Sequence, residues 1–107
     1  MKIGIVLSTK DPEAAWNALR FGVTGRRSGH TVRMFLMNAG VELEDIRDPK
    51  FDVPDQLRKY REGGGEILAC GTCLDTRDKE GTETCPTSTM AELLAIVEQS
   101  DRVLTFG

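Results

Sequence analysis

Cys70 and Cys73 stand three residues apart in Glu66-Ile67-Leu68-Ala69-Cys70-Gly71-Thr72-Cys73-Leu74-Asp75-Thr76-Arg77. An apolar strand runs straight into the pair, and residues able to begin a helix follow it. The free N–H groups of a helical first turn favour an anion, and a thiolate is such an anion. A spacing of three puts both thiols on one face of a turn, within the Cα separation that a disulfide tolerates. Two chemistries fit this spacing: a redox or sulfur-handling pair, or half of a metal site. A buried strand-end thiol with an incidental neighbour is the bland alternative.

Other residues that could join such chemistry have ordinary readings beside the functional one. Cys85 precedes Pro86 in a loop; it either reaches the Cys70 site or is a partly buried loop thiol. Arg77 and Lys10 could each raise the local positive potential, or be exposed cations. His30, the only histidine, sits in a turn before the second strand, expected at the opposite end of the sheet from Cys70. Zinc would need a second paired knuckle, which is missing, so no metal ligands are assigned. A three-cysteine site, or one shared between subunits, stays open. Met34 and Met37 read as core or edge.

The elements that must position the pair alternate. A first strand spans residues 3–8. Asp11, Pro12 and Glu13 then open a helix from Pro12 to about Thr24, with Ala15, Ala18, Leu19 and Gly22 on one stripe. Gly25 and Gly29 are expected to end it and turn the chain. A second strand covers 31–37. Residues 41–52 carry no firm pattern, although Val41 and Leu43 suit a cover over the top of the sheet. A short helix fits Pro54–Glu62, with Asp52 as its cap and Leu57 and Tyr60 facing inward. The third strand is Glu66–Cys70, followed by a short helix over about 72–78 and a polar loop over 79–84. Thr89-x-x-Glu92 resembles a capping box, and Met90, Leu93, Leu94 and Val97 are the expected apolar face of the helix behind it. Arg102–Phe106 makes a last strand.

This β-α-β-α-β-α-α-β order predicts an α/β fold: a small three-layer sandwich with a mostly parallel, four- or five-stranded sheet of flavodoxin or Rossmann type. The 107 residues suit one domain, 1–107, with a core that needs no disulfide staples. Ligands of such sheets bind beyond the carboxyl ends of the strands, where the cysteine pair falls. Neither Gly-x-Gly-x-x-Gly nor a P-loop lysine follows the first strand, and Gly63-Gly64-Gly65 precedes a strand rather than a helix, so no nucleotide cofactor is expected. A net charge of −3 without a basic patch argues against nucleic acid. The opening strand is too short and too early for a signal peptide, and no stretch approaches a membrane span. Together with an odd number of cysteines, this sets a cytoplasmic, thiol-reducing location as the expectation. A sheet this small needs its edges covered, which favours a homo-oligomer.

The segment Ala69-Cys70-Gly71-Thr72-Cys73-Leu74-x-x-Arg77 resembles the active stretch of the DsrE/DsrF-like (YchN-like) family of sulfur-relay and sulfur-oxidation proteins. The opening strand Lys2–Leu7, Gly29-His30-x-Val32, Gly40-Val41-x-Leu43, Ser88-x-Met90-x-Glu92-Leu93 and Asp101–Gly107 fit the same pattern in the same order. The resemblance implies a parallel sheet, homo-oligomers (often trimers or hexamers), and a persulfide-carrying cysteine, which falls on Cys70. It further implies a sulfur-carrier or sulfurtransferase-like role between a protein sulfur donor and a protein acceptor. Cys73 departs from single-cysteine relay members. It is expected either to be held away from a Cys70 persulfide or to discharge it as sulfide, leaving a Cys70–Cys73 disulfide. A thiol–disulfide redox protein using Cys70 and Cys73, and a non-enzymatic metal-binding or assembly protein, are the competing readings.

Overall fold

The computed structural model describes residues 1–107. The elements are β1 (Lys2–Leu7), α1 (Pro12–Arg27), β2 (Thr31–Leu36), a 3₁₀ segment (Asn38–Asp45), α2 (Val53–Glu62), β3 (Glu66–Cys70), α3 (Gly71–Thr76), β4 (Thr87–Ser88), α4 (Met90–Gln99) and β5 (Arg102–Phe106). Every strand pairing is parallel, and the strand order is β4-β3-β2-β1-β5. This is the three-layer α/β fold that the alternating pattern predicts, with a fifth strand of two residues added at the edge.

Two layers of helix follow from the alternation of side chains along the strands. Ile3, Ile5 and Leu7 of β1 pair with Val32, Met34 and Leu36 of β2 and turn one way, towards α1 and α2. Gly4 turns the other way, where an added Cβ would meet Ile96 and Ser100 at 3.0 and 2.9 Å. Val6, Phe35 and Leu68 share that second face by register. Tyr60 of α2 is fully buried and donates its hydroxyl to the Glu66 carbonyl at 2.8 Å, tying α2 to the start of β3.

The helix starts follow their capping residues. Asp11 accepts from the Ala14 N–H at 2.9 Å, Asp52 from Asp55 at 3.1 Å, and Thr89 from Glu92 at 3.2 Å. Two expectations need correction, the end of α1 and the apolar face of α4. Helix α1 runs through Gly25 to Arg27: Gly25 is buried, with Val32 against it, and the turn is made by Gly29 at φ +87°. Residues 38–45 form a 3₁₀ segment over the top of the sheet, with Val41 and Leu43 buried. Gly40 makes this possible, because a Cβ there would lie 2.2 Å from the Leu7 carbonyl oxygen. On α4 the expected apolar face is not the buried one. Ile96 is fully buried and Leu93 partly so, while Met90, Leu94 and Val97 are exposed. Gly4 lets α4 lie close over β1 through Ile96, and that contact sets the helix rotation.

No helix is long and apolar enough to cross a membrane.

Candidate thiol site at the end of β3

Strand β3 lies between β2 and β4, so its carboxyl end is flanked on both sides by backbone. Cys70 is its last residue and the cap residue of α3, with φ −59° and ψ 118°. Its side chain makes no capping hydrogen bond to the helix. Cys70 is 3% exposed, Cys73 one turn later is partly exposed, and all three cysteines are free thiols. Leu74, buried beside Cys73, anchors α3 to the core and so fixes the turn that carries both sulfurs.

The chain brings Cys73 under the end of β2. The Asn38 N–H donates to Cys73 Sγ at 3.1 Å. It can do so because Asn38 adopts φ +52°, a left-handed conformation that asparagine tolerates better than most residues. Burial pushes the Cys73 thiol above the ordinary thiol range. The neighbouring Cys70 pushes the same way, while the Asn38 N–H and the Arg77 charge oppose the shift.

Arg77 is only partly exposed. Its Nη1 donates to the Cys73 carbonyl at 3.2 Å and its Nε to Glu42 at 3.1 Å. Lys10 reaches the same Glu42 at 3.7 Å. Glu42 therefore offsets much of the positive potential that these two cations would otherwise present to the thiols. Neither Asn38 nor Glu42 stood out as a site residue in the sequence. An asparagine before Ala39-Gly40 at a strand end was the one available signal for the first, and the second had none.

Cys85 is set apart. It is buried and lines a cavity of about 120 Å³ with Glu44, Asp45, Ala69, Leu74 and Thr82, among others. Burial first, and Glu44 beside it second, push its thiol far up from the ordinary range. Cys70 is among the groups that act on the Cys73 thiol, whereas the charged groups that act on Cys85 are Glu44 and Arg61. His30 lies at the amino-terminal end of the strands, where its Nδ1 pairs with the Met1 amine at 2.8 Å. No three His, Cys, Asp or Glu side chains gather as a metal-ligand set. Met34 is core, and Met37 packs against it.

The strand order reverses between β1 and β5, the usual ligand crevice of open α/β sheets. Here the chain itself closes that position: the Ser8 N–H and Oγ both donate to the Phe106 carbonyl, at 2.9 and 3.3 Å. The thiol pair stands instead at the end of β3, two strands away. Fold and site together define a small parallel-sheet α/β protein with a thiol pair at an inner strand end.

The chain belongs to the DsrE/DsrF-like family, which matches residues 1–106. It is 32% identical over 115 residues to the uncharacterized protein MJ0989 of Methanocaldococcus jannaschii, covering 99% of this chain and all of the relative. It is 34% identical over 100 residues to the uncharacterized protein MK0008 of Methanopyrus kandleri, covering 88% and 83% of the two chains. In three dimensions it is similar to BT1422 of Bacteroides thetaiotaomicron, a conserved protein of unknown function. That match has a TM-score of 0.76 at 16% identity and covers 98% of this chain and 94% of the other. At that identity the likeness speaks for the fold alone.

Proposed function

We propose that this protein carries sulfane sulfur as a persulfide on Cys70, accepting it from a protein donor and passing it to a protein acceptor, and that Cys73, when no acceptor takes the sulfur, discharges it as hydrosulfide. One observation carries the reading: two free thiols share one helical turn at an inner strand end, the first almost fully buried and the second within reach of solvent. Family membership supports it.

In loading, the Cys70 thiolate attacks the outer sulfur of a donor persulfide. The donor's S–S bond breaks, and the donor leaves as a thiolate. Burial then shields the carried sulfur from bulk thiols. In discharge, the Cys73 thiolate attacks Cys70 Sγ. The bond to the outer sulfur breaks, that sulfur leaves as hydrosulfide with its own proton, and a Cys70–Cys73 disulfide remains. The outer sulfur is reduced by two electrons and the two cysteine sulfurs are oxidised, so an external dithiol is needed only to reset the pair. Burial raises the Cys73 pKa, which lowers its thiolate fraction and so slows discharge.

Self-association belongs to the same proposal. Met90, Leu94 and Val97 form an apolar stripe along α4, and Val103 of the edge strand β5 is also exposed. A second copy of this chain is the partner such a stripe would suit.

Peptide mass spectrometry after incubation with a persulfide donor tests the reading. A one-sulfur gain on the Cys70 peptide is expected, lost in Cys70→Ser and kept in Cys85→Ser. A two-hydrogen loss linking Cys70 to Cys73, with no sulfur gain at any time point in wild type or in Cys73→Ser, would favour a thiol–disulfide redox protein instead. The closeness of the two thiols makes that the second reading.

A further inference from the structure

The one buried side-chain oxygen or nitrogen without a hydrogen-bond partner is Ser88 Oγ. Ser88 is 8% exposed and pairs in register with Cys70 across the β3–β4 ladder. Register partners in parallel strands point to the same face, so the orphaned hydroxyl stands on the face of Cys70. Strand β4 is only Thr87 and Ser88, opposite Ala69 and Cys70, held by the Ala69 N–H donating to the Pro86 carbonyl at 2.9 Å. The turn that carries the thiols is packed onto this strand. A Cβ on Gly71 would lie 3.1 Å from Thr87 Cγ2 and 3.2 Å from the Ser88 carbonyl oxygen.

A buried hydroxyl without a partner is unfavourable and uncommon in folded proteins. Ser88 makes no hydrogen bond to the free Cys70 thiol. A persulfide extends that side chain by one S–S bond, about 2 Å, and adds a sulfur acceptor at its tip. We infer that the Ser88 hydroxyl donates a hydrogen bond to the outer sulfur of a Cys70 persulfide and holds it as the leaving group for discharge. This rests on the function proposed above.

Position explains the second half. Ser88 lies on the β4 side of Cys70, while Cys73 is held from the β2 side by Asn38. Bonding to Ser88 turns the outer sulfur away from Cys73 and leaves Cys70 Sγ facing it. Attack by Cys73 at Sγ then expels the outer sulfur towards Ser88, as hydrosulfide, with formation of the Cys70–Cys73 disulfide. Negative charge grows on the leaving sulfur as the bond breaks, so the hydroxyl stabilises the transition state more than the loaded state. Ser88 thus touches the reacting sulfur itself and makes no side-chain hydrogen bond in the unloaded protein.

The test loads wild type, Ser88→Ala, Ser88→Thr and Cys73→Ser with a small-molecule persulfide donor. It follows sulfur occupancy of Cys70 by peptide mass spectrometry and hydrosulfide release under anaerobic conditions, and compares thermal melts of the unloaded proteins. Ser88→Ala is expected to load but to release hydrosulfide about tenfold more slowly, the loss of one hydrogen bond to a developing charge. Ser88→Thr, which keeps the hydroxyl, should release within about threefold of wild type on the same argument. Unloaded Ser88→Ala should melt no lower than wild type, because it removes an unpartnered hydroxyl. A loaded wild type whose release is matched by Ser88→Ala overturns the inference. So does a loaded wild type that releases no hydrosulfide, and so does a Ser88→Ala protein that melts lower when unloaded. Sulfur that never appears on Cys70 in either wild type or Cys73→Ser instead overturns the proposed function itself.

Discussion

Replacing Asn38 by valine should force a choice between stability and the reactivity of Cys73. Asn38 sits at φ +52° with its N–H 3.1 Å from Cys73 Sγ. A left-handed conformation costs an L-residue about 1–2 kcal/mol, and a β-branched side chain is among the least suited to it. If the Asn38→Val variant keeps the native backbone, that strain appears as lost stability. If the backbone relaxes, the N–H swings away and the thiolate loses a hydrogen bond. Bonds to charged groups contribute about 1.5–3 kcal/mol, so losing this one raises the Cys73 pKa further. Below the midpoint its thiolate fraction, and hence its alkylation rate, would fall by about 10–100-fold. The assay is the pH dependence of iodoacetamide alkylation at the Cys73 peptide in a Cys70→Ser, Cys85→Ser background, with urea unfolding of the same proteins. Asn38→Gly is the control. It adopts the conformation freely, and the hydrogen bond uses only the backbone N–H, so the midpoint of Cys73 should stay put. A valine variant with unchanged unfolding midpoint and unchanged alkylation profile would refute the claim that this backbone conformation tunes the thiol.

Two further outcomes follow from the same structure. Leu94→Glu puts a charge in the middle of the exposed α4 stripe, where the side chain is 58% exposed. It should shift the protein to monomer in analytical ultracentrifugation and leave monomer stability within about 0.5 kcal/mol, as surface substitutions usually do; an unchanged sedimentation coefficient would place self-association elsewhere or nowhere. The buried Cys85 thiol has a raised pKa in the folded state. The unfolded chain therefore loses its proton first, and the stability from Cys85 declines as pH rises above about 8.5, by up to about 1.4 kcal/mol per pH unit. Cys85→Ala removes that slope, so the stability gap between wild type and variant should narrow from pH 8 towards about pH 10; a constant gap in urea unfolding would contradict the burial argument.

Much of the fold is legible along the chain because its signals are local. Asp11-Pro12, Asp52 and Thr89-x-x-Glu92 mark helix starts through contacts three residues long, and apolar runs mark the strands. The family pattern and the pairing of Cys70 with Cys73 are likewise matters of spacing. What lies beyond spacing was not legible. Met90, Leu94 and Val97 satisfy the helical period as well as Leu93 and Ile96 do, and only the docking of α4 through Gly4 decides which side is buried. The edge strand Thr87–Ser88 is too short to leave a pattern. Its hydrogen-bonded register with Ala69 and Cys70 exists only once the sheet has formed, and that register puts the Ser88 hydroxyl beside the thiol. Glu42 meets Arg77 across 35 positions of chain and Asn38 meets Cys73 across the same span. The residue types able to do chemistry were thus set by the order of amino acids. Which thiol is buried, which is within reach of solvent, and which polar groups stand around them were decided by how sheet, helix and loop pack, since burial and long-range hydrogen bonds have no meaning until the chain closes on itself.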